Sequence, residues 1–401
     1  MEGRYSDSLG RYYTRPTLGS VLVRAMDVVA PRTVVDLGAG GGTLIGEAAK
    51  VWRRANFITI DIDPVASTFR IPVAHGSTYK HVVADALDAH LSDHLGISWG
   101  AACAAVCNPP YIRPQWRSHF RRILADVGLD HILPHAEDIP ADVLFVAQNL
   151  RLLKRGGQLG VILPDGLVAG ERFSQFRRTL ILNHAVRQVI ELPRRIFRHT
   201  EAKAHIVVLT KDQTPSTAIE VRRLERNGEL SSPKLVPPDR AVARLDYSYH
   251  STARSARKRK PCILVDMLIA AIIRGSHSSR ARASLPFPVL HTSDVSESDT
   301  VAPSKFKLPK QYWNRNCGVV ASPGDLLVAR VGRNFSSKVC KVVHGPTVVS
   351  DCFLVLRPRP DEYERVFSFL RSNRGRCALE SASHGVGAKF ITQTAINQIL
   401  L

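Results

Sequence analysis

Four short apolar runs, each ending in a polar or acidic tip, constrain this chain more than anything else in it. Thr33 to Leu37 closes on Asp36-Leu37-Gly38-Ala39-Gly40-Gly41-Gly42, Phe57 to Ile60 on Asp61-Ile62-Asp63-Pro64, His81 to Ala84 on Asp85, and Ala104 to Cys107 on Asn108-Pro109-Pro110-Tyr111. Short apolar runs rich in β-branched residues suit strands buried on both faces, which pack as parallel sheets covered by helices. Thr43 to Val51 has helical character, so the first run reads as strand, glycine-rich turn and helix. Such a turn brings backbone N–H groups and a helix N-terminus close to a ligand, although it serves equally as a plain tight connection. Asp61 follows Asp36 by 25 positions (61 minus 36), where open α/β sheets place a carboxylate that takes up ribose hydroxyls.

The fourth tip has a chemistry of its own. Two successive prolines fix φ near −65° and donate no N–H, so the turn is stiff and continues neither strand nor helix. Asn108 offers a side-chain carbonyl, and the carbonyls beside the prolines are free to accept. Tyr111 offers a face on which a planar base stacks, worth roughly 1–3 kcal/mol. Acceptors pulling on an exocyclic amine localise its lone pair and make it a better nucleophile.

Taken in order, Asp36-Leu37-Gly38-Ala39-Gly40, Asp61, Asp85 and Asn108-Pro109-Pro110-Tyr111 resemble the motifs of S-adenosylmethionine-dependent amino-methyltransferases of the N6-adenine DNA type. Gly10-Arg11-Tyr12-Tyr13-Thr14-Arg15-Pro16 looks like that group's N-terminal segment, with Arg15 standing where a second proline is usual. A helix over Ala141 to Leu153, the turn Lys154 to Gly157 and strands over Leu159 to Leu163, Val186 to Pro193 and His205 to Thr210 follow in the same order. The resemblance implies a Rossmann-like α/β domain and these roles. Thr14, Asp36, Gly38 and Gly40 border the cofactor's methionine end, Asp61 binds its ribose and Asp85 its adenine amino group. Asn108, Pro109 and Pro110 hold the target amine, and Tyr111 and Phe197 sandwich the extruded base. Phe197 takes that role from its place after Glu191-Leu192-Pro193, with Phe173 and Phe176 as nearby aromatics. No metal is required by this chemistry.

Net charge is +20 over 401 residues, which points to a polyanionic partner. Residues 1–210 hold 25 Lys and Arg against 19 Asp and Glu, and residues 211–401 hold 30 against 16, so the excess is +6 and +14. The second part therefore carries the electrostatic footprint. Seven cysteines without CxxC or Cys/His ligand spacing argue against a disulfide framework or a zinc site, and Cys103 and Cys107 are expected as buried thiols on a strand. No apolar run approaches 18 residues, so the expectation is a cytoplasmic protein with no membrane segment.

Three segments are expected: a methyltransferase domain over 1–210, a basic connector and docking helix over 211–284, and a mixed α+β domain over 285–401. Within the connector, Arg254 to Lys260 forms a basic run, with Arg257 and Lys258 as phosphate contacts. Ile263 to Ile273 reads as an amphipathic helix. Leu326 to Ala329 reads as a strand after Ser322-Pro323-Gly324, Val348 to Leu356 as another, and Phe367 to Leu370 as a helix ending near Gly375. With Ser383-His384-Gly385-Val386-Gly387 and Lys389-Phe390 this order resembles a target-recognition domain of type I restriction specificity subunits. That resemblance implies double-stranded DNA as partner, with Arg330, Arg333, Lys338 and Lys389 as base or phosphate contacts, joined by Arg113 and Arg117 beside the catalytic turn. The expected activity is methylation of a flipped adenine at N6 in a specific DNA sequence, within a restriction-modification or phage-defence system, by a monomer on DNA or one with a partner subunit. Methylation of an RNA adenine or a protein glutamine, and a catalytically idle DNA-binding subunit, stay open as alternatives.

Overall fold

The computed structural model describes residues 14–68, 71–194, 196–197, 203–251, 265–384, 389–399 and 401. It divides into two compact units, Met1–Tyr247 and Ser248–Leu401.

In the first unit the chain runs through α1 (Pro16–Ala25), β1 (Thr33–Leu37), α2 (Thr43–Val51), β2 (Asn56–Asp61), β3 (Thr78–Val83), α3 (Leu91–Leu95), β4 (Ala102–Cys107), α4 (Phe120–Ala125), α5 (Ala141–Leu152) and β5 (Leu153–Pro164). It continues through α6 (Asp165–Ala169), α7 (Ser174–Asn183), β6 (Ala185–Glu191), β7 (Ala204–Thr210), β8 (Ile219–Arg223), β9 (Lys234–Val236) and α8 (Pro238–Ala243). The strands make one nine-stranded sheet in the order β3-β2-β1-β4-β5-β7-β6-β8-β9. Neighbours from β3 to β5 are parallel, while β7 runs antiparallel between β5 and β6.

Strand alternation sorts the apolar side chains onto the two faces. Val35, Leu37, Ile58, Ile60, Ala105 and Cys107 join one core cluster with Val143, Leu144 and Leu180 of α5 and α7. Val34, Phe57, Ala104 and Val106 join another, with Leu18 and Leu22 of α1 and Leu44 and Ile45 of α2. Each fully buried large aliphatic side chain stabilises by about 1.5–3 kcal/mol. Cys107 is buried as expected, and Cys103 is only partly covered. The order of strands reverses between β1 and β4, and sheets of this kind open a crevice at the carboxyl ends of such strands.

The sheet does not stop at Thr210. β8 lies parallel to β6, β9 closes the edge, and Ile219, Val221, Val236, Ala241 and Leu245 share the first core cluster. The compact boundary therefore falls at Tyr247, well inside the expected connector. Edge strands alternate core and solvent residues, so 211–247 carries too few apolar positions to look like structure in the sequence.

The second unit holds a four-stranded sheet in the order β10 (Ile269–Arg274), β16 (Phe353–Pro358), β13 (Leu326–Ala329), β14 (Val339–Lys341). A three-stranded sheet pairs β11 (Val289–Leu290), β15 (Thr347–Val349) and β12 (Val320–Ala321). The helix expected over Ile263 to Ile273 is instead a 3-10 turn, Val265–Leu268, followed by β10 paired antiparallel with β16. The run Val348 to Leu356 is two strands, broken at Ser350-Asp351-Cys352 so that each half serves a different sheet. Gly375 does not end a helix. The helix Tyr363–Arg371 stops at Ser372, whose Oγ accepts from the Gly375 N–H at 3.0 Å and starts the helix Asn373–Ala382. A Cβ at Gly375 would strike the Phe369 carbonyl, so the glycine permits close approach of successive helices.

Candidate active site

β1 carries Asp36 into the crevice at 1% exposure. Its Oδ1 is buried and has no hydrogen-bond partner among the described residues. Burial, and then the nearby Asp61 carboxylate, hold the Asp36 carboxyl well above the usual range. The glycine turn follows with Gly38 at φ 74°, Gly40 at φ 51° and Gly42 at φ 71°, conformations that a side chain disfavours. A Cβ on Gly38 would also sit 3.1 Å from the Phe145 ring of α5.

The carboxylate at the tip of β2 holds this turn in shape. Asp61 Oδ2 accepts from the Gly40 N–H at 2.7 Å, and Oδ1 accepts from the Asp63 N–H at 2.9 Å. A carboxylate has about four acceptor sites, so capacity remains for hydroxyl donors. Beyond β3, Asp85 Oδ1 accepts from the Leu87 N–H at 2.8 Å, while Oδ2 pairs with Arg117 Nη1 at 2.6 Å. The loop is pinned from below by the buried Gln148, whose Nε2 donates to the carbonyls of Ala86 at 3.2 Å and Asp88 at 3.0 Å.

At the end of β4 the Asn108-Pro109-Pro110-Tyr111 turn leaves the sheet with Pro109 buried and its neighbours half-buried. Asn108 Nδ2 donates to Thr14 Oγ1 at 3.1 Å, joining the N-terminal segment to the turn. Tyr111 Oη donates to the Ile162 carbonyl of β5 at 3.4 Å.

One cavity of about 200 Å³ gathers these groups. Thr14, Asp36, Gly38, Gly40, Asp61 and Asp85, the residues expected around a cofactor, all line it together with Asn108 and Pro110. Phe145 lines it too and gives no sequence signal, because α5 is buried almost all round and lacks an amphipathic stripe. Gln148 escapes notice for the same reason.

Other expected site residues are placed elsewhere. Phe197 is 2% exposed and belongs to the core cluster with Ile190, Leu192, Ala204 and Ile206, so as it stands it is a core side chain rather than a stacking surface. Arg117 is engaged by Asp85, and Arg113 Nη1 pairs with Asp138 Oδ1 at 3.1 Å. In the second unit Arg330 Nε donates to the Asp351 carbonyl at 2.8 Å, Lys338 Nζ to the Thr292 carbonyl at 2.7 Å, and Lys389 Nζ lies 3.6 Å from Glu380 Oε2. These three cations are turned to the protein's own acceptors, whereas Arg333 is exposed. Arg257 and Lys258, with Gly10 to Tyr13 and Gly385 to Gly387, lie outside the described residues. Among the described residues no cluster of three or more His, Cys, Asp or Glu is placed to hold a metal ion, and no helix is long and apolar enough to cross a membrane.

A buried charge network on the same edge of the sheet was invisible in the sequence. Lys203 Nζ lies 3.3 Å from Asp165, 3.4 Å from Glu191 and 3.7 Å from Asp246. Asp246 takes two bonds from Arg244, at 2.7 and 2.9 Å, and His205 Nε2 lies 2.9 Å from Asp165 Oδ1. Asp165 opens α6 just past β5, Glu191 ends β6 and Lys203 precedes β7, so the network ties together neighbouring strand ends of the sheet.

The first unit has the Rossmann-like α/β fold expected of a methyltransferase domain, with β1 to β6 and β8 parallel, β7 and β9 antiparallel to them, and the glycine turn after β1. The chain belongs to the N-6 DNA methylase family, whose model matches residues 4–232, more than half of its length. The donor set suits the family's cofactor: the buried Asp36 oxygen without a partner among the described residues would accept from an ammonium group, and a Cβ at Gly38 would crowd the turn against the Phe145 ring.

The type IIG restriction endonuclease BpuSI is similar in structure, at 13% identity and a TM-score of 0.52 over 99% of this chain and 59% of that one. This chain thus spans about three fifths of that protein's length, and at this identity the likeness is one of fold. A methyltransferase subunit of a type I restriction-modification system from Streptococcus thermophilus is 18% identical over 64% of this chain and 55% of that one, with a TM-score of 0.44. A class I methyltransferase from Listeria monocytogenes is 15% identical over 55% of this chain and 68% of that one, with a TM-score of 0.42. No curated protein matches the sequence.

Proposed function

We propose that this protein transfers a methyl group from S-adenosylmethionine to the N6 amino group of an adenine extruded from double-stranded DNA, as the modifying activity of a restriction-modification or phage-defence system. One observation carries the reading: the residues assigned to the cofactor line a single cavity together with Asn108 and Pro110 of the amine-holding turn. Bound there, S-adenosylmethionine supplies an electrophilic methyl on a sulfonium. The protein's share is positioning and electrostatics.

Asp36 holds the ammonium of the methionine end, the Gly38 and Gly40 turn approaches it through backbone, and Asp61 takes the ribose hydroxyls. Asp85, aligned by Arg117, accepts from the adenine amino group of the cofactor. The Asn108 carboxamide, oriented through Thr14, and the Pro109 carbonyl accept from the target amine and turn its lone pair toward the methyl. Tyr111, anchored at its hydroxyl, stacks on the extruded base, and that contact offsets the few kcal/mol that unstacking costs. The net charge of +20 and the likeness to BpuSI across both units support a DNA substrate over a protein one.

The test is transfer of labelled methyl from S-adenosylmethionine to plasmid DNA, with digestion to nucleosides to locate the label. Label on adenine N6 is the expected result, and Asn108→Ala should abolish it while cofactor binding persists. Label confined to RNA or protein, or full activity in the Asn108 variant, sinks the reading.

A further inference from the structure

Three of the four expected DNA contacts described in the second unit are occupied within the protein, and so are six of its other described cations. Lys341 pairs with Glu364, Arg357 with Asp325, Arg282 with Asp294, Arg274 with Asp351 and Arg365 with Glu362. Arg371 Nη1 donates to the carbonyls of Asp299 and Val339. Arg280, Arg333 and Arg359 are also exposed and outside any ion pair among the described residues, but singly, whereas residues 305–315 gather four such cations. Lys305, Lys307, Lys310 and Arg315 are all exposed, and none forms an ion pair among the described residues. The sequence has no Asp or Glu between Asp299 and Asp325, whereas ordinary solvated surfaces intersperse both signs.

The segment is also held in place. Its two 3-10 turns, Ser304–Phe306 and Lys310–Tyr312, follow Pro303 and Pro309. Leu308 N–H donates to the Pro346 carbonyl at 2.7 Å, and Leu308 and Cys317 are buried with Val289 and Val348. Tyr312 packs edge-on against Phe287 with centroids 5.4 Å apart. Trp313 bonds through Nε1 to the Leu308 carbonyl at 3.0 Å yet is 50% exposed. An exposed indole fixed among unpaired cations loses little freedom on meeting a partner.

We infer that residues 305–315 form the surface by which the second unit docks on the phosphate backbone of double-stranded DNA. Lys305, Lys307, Lys310 and Arg315 meet phosphates, and Trp313 lies against the sugar edge. This rests on the reading that the substrate is duplex DNA, and it shifts the phosphate contacts from Arg330, Lys338 and Lys389 to a segment that the sequence did not single out.

The test measures binding of the full chain to a dye-labelled duplex of mixed sequence by fluorescence anisotropy across a range of salt concentrations. Each phosphate contact contributes about 0.9 to the slope of log affinity against log salt. The variant K305A/K307A/K310A/R315A should flatten the slope by about 3–4 and weaken binding on the order of 100-fold to 1,000-fold near physiological salt. All four side chains are exposed, and unchanged cofactor binding by the variant verifies that the first unit is intact. K305R/K307R/K310R should bind as the parent does, and Arg365→Ala, which removes a paired cation, should leave the slope alone. A parent that binds duplex DNA and a quadruple variant with the same slope overturn this surface while leaving the methyltransferase reading in place. A parent that binds no duplex at all defeats that reading first, and this one with it. Tighter, variant-sensitive binding of RNA than of duplex would overturn the DNA assignment.

Discussion

Replacing Lys203 with methionine removes the ammonium from the buried network while keeping a side chain of similar length. Its Nζ stands within 3.7 Å of three carboxylates whose side chains are 0–6% exposed, namely Asp165, Glu191 and Asp246. Removing one partner of a buried charge set typically costs 3–5 kcal/mol, because the remaining charges stay desolvated. For a unit of this size that is about 6–20 °C of melting temperature, at 2–4 °C per kcal/mol.

The loss should depend on pH with a definite sign. Burial pushes Asp165 and Asp246 up, but Lys203, Arg244 and His205 outweigh it and hold both carboxyls below their ordinary range, while the same attraction holds Lys203 above its own. A depressed carboxyl gives stability that is present above its unfolded value near 3.8 and lost as pH falls through the folded one. The raised lysine gives stability that is present below its unfolded value near 10.5 and lost as pH rises through the folded one. Lys203→Met should therefore be most damaging between about pH 4 and 10, and the gap from the parent should narrow toward pH 3. Differential scanning calorimetry at several pH values reads this directly. A loss below about 1 kcal/mol at pH 7, or one equal at pH 7 and pH 3, would refute the argument.

Three other perturbations have expected outcomes. Arg117→Ala frees the Asp85 carboxylate and should raise KM for S-adenosylmethionine several-fold at near-constant kcat, with Arg117→Lys recovering part of it; a changed salt slope for DNA with an unaltered KM would return Arg117 to a phosphate contact. Burial pushes the Asp142 carboxyl up to about 7, so the folded protein binds more protons than the unfolded chain between pH 3.8 and 7. Stability should then fall across that window by about 4 kcal/mol through this group, and Asp142→Asn should be free of the fall; parallel melting curves for parent and variant from pH 4 to 8 would contradict it. Gly38→Ala meets both a positive φ and the Phe145 ring at 3.1 Å, so isothermal titration should find S-adenosylmethionine binding reduced at least tenfold, and unaltered affinity would show the turn to be slack.

Where chemistry is local the sequence was legible. Thr33–Leu37 and Thr43–Val51 begin and end where composition and the glycine turn place them, and of the six residues expected around a cofactor five share one cavity because each sits at the tip of a strand or in the turn beside it, while Thr14 joins them from the segment before α1. Legibility failed where a partner distant in sequence decides. The isoleucines of 269–273 fit a helical period as well as a strand, and pairing with Phe353–Pro358 selected the strand. Gly375 looked like a helix terminator, yet its neighbour in space, the Phe369 carbonyl, sets its role. Phe197 was expected to stack on a base from its place after Glu191-Leu192-Pro193, and packing within the core buries it instead.

By itself the sequence determined the parallel α/β plan, the glycine turn and the set of carboxylates and amide that the site uses, since strand burial, proline geometry and glycine φ are properties of a few adjacent residues. Only the tertiary structure decided which charges meet. Arg117 on Asp85, Lys203 among three carboxylates, and Lys305 to Arg315 left without acids all depend on distances between residues far apart in the chain. Coulomb attraction and desolvation act through space, so neither the pairing nor its absence is written in any local stretch of residues.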